Sequence, residues 1–214
     1  MNPKSTYSLS TSSGFRVDVS VFGEIDYNES YCAMKKFAIE RDSDAADQIW
    51  VLEHPPVYTQ GTACSAVALL PSDIPIVKSD RGGQITYHGP GQLVVYPLIN
   101  LRRHGLGVKS FVDKIEQCMI DVLADMGIAS QRREDAPGVY VDGAKIGALG
   151  LRVKRANSYH GLSLNVDMDL TPFANIDPCG YQGMAVTQVA SHASKTTDRL
   201  KIASDLAKNL VASL

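Results

Sequence analysis

The sequence predicts an α+β fold with a largely antiparallel sheet, on three observations. Apolar runs of period two alternate along the chain with runs of helical period. One pair of strand signals is joined by Asp142-Gly143, which supplies the positive φ angles of a tight hairpin turn. Finally, 214 residues suffice for one ample core and are short for two, so 15–214 is expected to fold as a single domain behind a flexible segment, 1–14.

Taken in order, Phe15, Val17, Val19 and Val21 alternate with polar residues as in a half-buried strand. Asp26 then opens a helix with Tyr31, Met34 and Ala38 at helical spacing, and the charged cluster from Glu40 to Asp44 ends it. Ile49 to Leu52 is the next strand, stopped by Pro55-Pro56. The stretch 53–92, rich in Gly, Pro and Ser, is too long for a simple connector and therefore points to function. Leu93 to Tyr96 is a strand. Phe111, Ile115, Cys118, Val122 and Met126 form one stripe of a helix closed by Gly127, which makes Cys118 a core residue. The hairpin of Val139 to Val141 and Ala144 to Val153 follows, then a strand with Leu162, Leu164 and Val166 alternating. A last amphipathic helix begins at about Thr196, with Leu200, Ala203, Leu206, Ala207 and Leu210 inward.

Composition narrows the function. Hydrophobic residues at 44% and charged residues at 21% are ordinary for a globular protein and exclude disordered and collagen-like classes. The longest apolar runs fall far short of the roughly 20 residues that cross a bilayer. The Ser/Thr-rich start lacks the apolar stretch of a secretory signal, so a cytoplasmic address is expected and a membrane partner is not. A net charge of −2 carries no nucleic-acid footprint. The basic pairs Arg102-Arg103, Arg132-Arg133 and Lys154-Arg155 remain as docking patches for an acidic protein or as ordinary solvated arginines. Cys32, Cys64, Cys118 and Cys179 lack CxxC spacing, so reduced thiols are expected, with no zinc site.

Three segments carry groups fit for chemistry. In Arg81-Gly82-Gly83-Gln84-Ile85-Thr86-Tyr87-His88-Gly89-Pro90-Gly91-Gln92, glycines surround Arg81 and His88 and can bring backbone close to a ligand. Neither phosphate-loop spacing is present, and on spacing alone the segment is equally a tight turn. In Gly143 to Leu151, Lys145 is the only charge in a strand apolar on both faces. It either snorkels to the edge or is partly desolvated, which would favour its neutral form. Cys179, between Pro178 and Gly180, is expected in a turn, where a cysteine taken alone is more often incidental than catalytic. A thiol of pKa about 8.5 needs a nearby base or cation to become a nucleophile.

Together with His54-Pro55 and His160-Gly161-Leu162-Ser163-Leu164-Asn165, these segments resemble the lipoyl(octanoyl) transferase family, whose RGGxxTYHGPGQ, KIxALG, HGLxLN and PCG motifs occur here in order. The resemblance, over roughly residues 15 to 210, implies the catalytic fold of biotin- and lipoate-protein ligases, a mixed and largely antiparallel sheet packed by helices. It also implies transfer of an octanoyl group from octanoyl-loaded acyl carrier protein to a lysine of lipoate-dependent enzymes. Recipients would be the lipoyl domains of 2-oxoacid dehydrogenases and the glycine cleavage H protein. Cys179 would be the acyl-bearing nucleophile and Lys145 its proton partner, with no metal, nucleotide or other cofactor. Arg81 to His88, Ala148-Leu149-Gly150 and Gly161-Leu162-Ser163 would bind substrate. Leu149 and Leu162 are expected to measure chain length at ~0.8 kcal/mol per buried methylene. His88 and His160 are expected to brace or bind more than to transfer protons. Two rivals are a ligase of the same fold that activates its substrate with ATP, which would not need Cys179, and a non-catalytic acyl-carrier-binding module, against which the intact Cys179 and Lys145 argue.

Overall fold

The computed structural model describes residues 1–64, 73–176, 185–193 and 198–214. The alternating run after Phe15 forms strand β2 (Arg16–Glu24), which extends beyond its apolar signal. Ahead of it, where a flexible segment is expected, Ser5–Ser10 forms β1, antiparallel to β2. Only Tyr7 and Leu9 of β1 pack on the core, while Ser8 faces outward and donates to Asp18 at 2.7 Å. An edge strand with two apolar residues among serines leaves little periodic signal.

Helix α1 (Tyr27–Glu40) starts where Asp26 Oδ1 accepts the N–H groups of Asn28 and Glu29, the expected cap. It leads into β3 (Asp47–Glu53), which runs parallel to β2. The long Gly/Pro-rich stretch folds as three short strands, β4 (Val57–Gln60), β5 (Ile76–Lys78) and β6 (Ile85–His88), in a small sheet of order β5-β4-β6. The chain continues through β7 (Gln92–Leu98), α2 (Val108–Asp125), β8 (Gln131–Arg132), β9 (Val139–Val141), β10 (Ala144–Lys154), β11 (Asn157–Asn165) and, after a 3-10 turn at Thr171–Asn175, α3 (Arg199–Ser213). Among the described residues, the main sheet has eight strands in the order β1-β2-β3-β7-β11-β10-β9-β8, antiparallel except at β2–β3. Strand β11 begins well before its apolar alternation because β10 turns into it at Arg155 and Ala156, with φ of 51° and 66°. That turn is made without glycine or asparagine, so it carries no sequence signature.

Both faces of the sheet are covered, so its central strands are apolar on both sides. Ile49 and Val51 of β3 and Val95 of β7 face α2 and α3, where Phe111, Ile115, Met119, Leu206 and Leu210 meet them. Trp50 and Leu52, with Val94 and Tyr96, face Met34 and Ala38 of α1. Cys118 is core, as expected, its thiol donating to the Leu206 carbonyl at 3.1 Å. Leu200, expected inward, is 70% exposed. It lies in the first turn of α3, and the buried stripe starts at Ile202. Among the described residues no helix is long and apolar enough to cross a membrane.

Two of the three basic pairs are committed within the fold. Arg103 pairs with buried Asp47, while Arg132 pairs with Glu116 and Arg133 with Asp135. As docking patches they are therefore weaker than their sequence suggests, because much of their charge is already matched.

Candidate active site

A cleft of about 810 Å³, its open mouth included, lies between the α1 side of β7, β10 and β11 and the loop that carries Arg81. The register of β10 explains what faces it. Gly147, Leu149 and Leu151 pair with Leu164, Leu162 and His160 of β11. A Cβ on Gly147 would meet the Met119 sulfur of α2 at 2.8 Å, and Leu149 and Leu162 pack with the α2/α3 core. Ala148 and Ser163, one residue out of phase, face the cleft beside Gly150 and Gly161.

Strict alternation would put Lys145 with Gly147, against α2. A β-bulge between Lys145 and Gly147 breaks the alternation. Ile146 and Gly147 both take the helical face, and Lys145 emerges on the cleft wall. Its side chain is buried, 5% exposed, so it does not snorkel to the edge. Nζ donates to the Pro137 carbonyl at 3.1 Å and lies 5.3 Å from the centroid of the Tyr140 ring. The backbone of Lys145 is bonded on both sides to the chain that follows 177–184, its N–H to Ala185 O at 2.8 Å and its carbonyl from Thr187 N at 2.9 Å.

The opposite wall is the glycine-rich loop. Arg81 folds back and donates to the Thr59 hydroxyl from Nε at 3.1 Å and from Nη2 at 2.9 Å. Gly61 makes that approach possible, since a Cβ there would lie 2.8 Å from Arg81 Nη1 and 2.2 Å from the Gly83 carbonyl. Asp80 pins the loop from outside. It receives Tyr159 Oη at 2.9 Å, His160 Nε2 at 3.0 Å and the Lys35 ammonium at 3.1 Å. Burial opposes the charge of Asp80, but these bonds outweigh it and hold its pKa well below the usual carboxylate range. His160 itself sits at φ 59° inside β11. Few non-glycine residues adopt that conformation.

His88 and His160 line the cleft, and His54 packs behind His88 with ring centroids 5.7 Å apart. His54 Nδ1 faces the Ile25 carbonyl at 2.7 Å, and its Nε2 faces Tyr96 Oη at 2.7 Å. A carbonyl only accepts, so Nδ1 carries the proton and Nε2 accepts from the Tyr96 hydroxyl. Gln92 gives its amide N–H groups to Tyr87 O and Asn165 Oδ1, leaving Oε1 to accept from His88 Nδ1 at 2.6 Å. Burial lowers the pKa of His54 to about 4 and, with the nearby His54 and Arg81 adding to it, that of His88 to about 3. Burial also lowers that of His160. The sign of the pH effect follows. Between about pH 6.5 and 4 the unfolded chain binds protons on His54 and His88 that the folded chain refuses, so stability falls with acidification through that window. At ~1.4 kcal/mol per pKa unit, unfolding by urea at pH 5 is expected to show a stability lower than at pH 7 by a few kcal/mol. Equal midpoints would mean that these rings protonate in the fold.

Of the residues singled out from sequence, Arg81, Gly83, Gln84, Ile85, Thr86, His88, Lys145, Ala148, Leu149, Gly150, Gly161, Leu162 and Ser163 all line this one cleft. Gly82 and Tyr87 do not. Gly82 bonds through its N–H to Leu151 O at 3.0 Å, and Tyr87 packs against Tyr58 and Phe173. Leu149 and Leu162 line the cleft while also packing on the core, and Ala148 and Ser163 stand beside them on its wall. Tyr27, Tyr96, Pro137 and Phe173 also line the cleft, although sequence does not single them out. On a sequence they are ordinary core aromatics or a loop proline, and only long-range packing distinguishes them. Cys179 lies outside the described residues.

Residues 26–211 match the family described as lipoyl protein ligase A/B catalytic domain. The chain is 56% identical over 173 residues to an octanoyltransferase of Pseudomonas fluorescens, covering 80% of each, and 53% identical over 191 residues to one of Cellvibrio japonicus, covering 89% of each. The fold is shared with a lipoate-protein ligase A bound with ATP (TM-score 0.72, 13% identity, 89% of this chain and 82% of that one). It is shared also with biotin protein ligase from Aquifex aeolicus in complex with biotin and ATP (TM-score 0.61, 13% identity, 90% of this chain and 68% of that one). With identity above half across four-fifths of the relatives' length, this chain belongs to the octanoyltransferases of the lipoyl protein ligase A/B catalytic-domain family.

Proposed function

We propose that the protein carries an octanoyl group from octanoyl-loaded acyl carrier protein to a lysine of lipoyl domains and of the glycine cleavage H protein, in the cytoplasm, through a thioester on Cys179. The observation that carries this reading is Lys145, a buried lysine turned by a bulge onto the wall of a cleft otherwise lined by small, aromatic and neutral groups together with Arg81. Its backbone partner Ala185 follows Cys179 closely along the chain.

In the first half-reaction the Cys179 thiol gives its proton to Lys145, and the thiolate attacks the carbonyl carbon of the carrier's thioester. The bond to the pantetheine sulfur breaks, and that sulfur leaves with the proton from the Lys145 ammonium. One thioester replaces another, so no nucleotide is consumed. In the second, the recipient's neutral lysine amine attacks the acyl-enzyme, the Cys179 sulfur leaves as thiolate, and Lys145 takes the surplus proton. An amide results and the starting thiolate–ammonium pair is restored. Backbone N–H groups of the glycine-rich loop are candidates to hold the oxyanion. Neutral His88 on the wall, with neutral His54 packed behind it, keeps this part of the cleft free of histidine charge, as an alkyl chain requires.

The test is the intact mass of the protein after mixing with octanoyl-loaded carrier and no ATP. One octanoyl increment is expected, absent in Cys179→Ala. No increment in the wild type, or one that appears only with ATP, would overturn the covalent scheme.

A further inference from the structure

Glu116 is a carboxylate on the inward face of α2, 5% exposed, in the same stripe as Ile115 and Met119. A charge in such a place is costly unless matched, and a core residue of that shape would ordinarily be apolar. Its two oxygens have separate partners. Oε1 accepts the N–H of Gly138 at 2.8 Å, and Oε2 faces Arg132 Nε at 3.2 Å.

The Gly138 bond ties Glu116 to the cleft. Pro137, the residue before Gly138, gives its carbonyl to Lys145 Nζ at 3.1 Å. Gly138 stands at φ 137°, and a Cβ there would lie 3.0 Å from Lys145 Cε and 3.4 Å from Nζ, so this peptide is the surface against which the ammonium rests. From the other end, Tyr140 O–H donates to Ala136 O at 2.8 Å, fixing the same turn, while its ring lies beside Nζ. The turn 136–138 is thus held at both ends, and Glu116 is the holder that comes from a different element. Burial raises the pKa of Glu116, against which the Gly138 N–H and the charges of Arg132 and Lys145 act.

We infer that Glu116 is a positioning residue for Lys145: by fixing the Pro137–Gly138 peptide it aims the ammonium into the cleft, and it acts on acyl transfer only through that lysine. The inference rests on the proposed Cys179–Lys145 pair. Removing the acceptor leaves a buried N–H unsatisfied and frees the turn, and small displacements of a catalytic group reduce rates steeply.

The experiment measures single-turnover acylation of the wild type, Glu116→Ala, Glu116→Gln, Lys145→Ala and the double variant Glu116→Ala/Lys145→Ala, each checked for a cooperative thermal transition. Glu116→Ala is expected to slow the saturated rate about tenfold or more while the half-saturating carrier concentration stays within about twofold. Glu116→Gln, which keeps an acceptor for Gly138, is expected to recover most of the rate. The double variant is expected to be no slower than Lys145→Ala, because a residue acting through another adds nothing once that other is gone. A wild-type rate in Glu116→Ala, or a double variant slowed by the product of both effects, overturns the assignment while leaving the Cys179–Lys145 pair intact. A wild-type rate in Lys145→Ala overturns the pair itself and the assignment with it. Should Glu116→Ala not fold, Glu116→Met fills the same space without the acceptor and is read by the same criteria.

Discussion

Lys145→Ala is expected to slow acylation of Cys179 at neutral pH by about 10²- to 10⁴-fold, the range for loss of a positioned proton-transfer group. Two physical effects act together. In the proposed mechanism the thiol loses the base that ionises it and the cation that stabilises the thiolate, and the leaving pantetheine sulfur loses its proton donor. The first defect can be overcome by solvent. A thiol with pKa about 8.5 ionises by itself as the pH rises, so the variant's rate is expected to climb through about pH 8 to 9 and recover part of the deficit. The truncation also removes a hydrogen bond to Pro137 and a contact with the Tyr140 ring. Single-turnover rates followed from neutral to alkaline pH decide the matter. A flat pH dependence with an unchanged rate would refute the role of Lys145, whereas a uniform loss without recovery would leave it positioning substrate only.

The largest expected loss of stability lies at Asp47, at the end of β3 away from the cleft. Its carboxylate is fully buried and meets Arg41 Nη1 at 2.9 Å, Arg103 Nη1 at 3.3 Å, His104 Nε2 at 2.7 Å and the Asn100 N–H at 2.8 Å. The Arg41 side chain is 2% exposed; it also donates to Leu98 O at 3.1 Å and Ala45 O at 2.6 Å, but Asp47 is the carboxylate that matches its charge. Asp47→Ala therefore leaves a buried guanidinium beside an empty acceptor site, a change that costs about 3–5 kcal/mol. For a chain of this size that is a fall in Tm of about 6–20 °C. Acylation per folded molecule is expected to be retained, because the cleft is built on the other end of β7. A loss below about 1 kcal/mol would mean that water replaces the carboxylate.

Much of the site was legible because its residues are of types that a core would not select. Lys145 in an apolar strand and Arg81 among glycines announce themselves, and the structure brings both to one cleft. Their roles are a different matter, since the same lysine on a regular strand would have pointed into α2. Glu116 carries no signal because a glutamate among helical residues is commonplace, and nothing in sequence says which face of α2 it shares. Strand β1 and the first half of β11 are hidden because serines and a glycine-free hairpin carry no periodic or turn signal. Leu200 misleads in the opposite way: its spacing fits burial, but it lies in the first turn of α3, ahead of the buried stripe.

The sequence by itself determined the class of fold, the central strands, α1 and α2, the Asp142-Gly143 turn and, through ordered motifs, the family and the candidate nucleophile and base. The elements are local properties, set by period, capping and turn chemistry within a few residues. Tertiary structure alone decided that a bulge turns Lys145 toward the cleft, that buried histidines there are neutral, and that a carboxylate from α2 holds the peptide against which the ammonium rests. Each depends on residues distant in the chain meeting within hydrogen-bond reach, where burial and register set what a side chain can do.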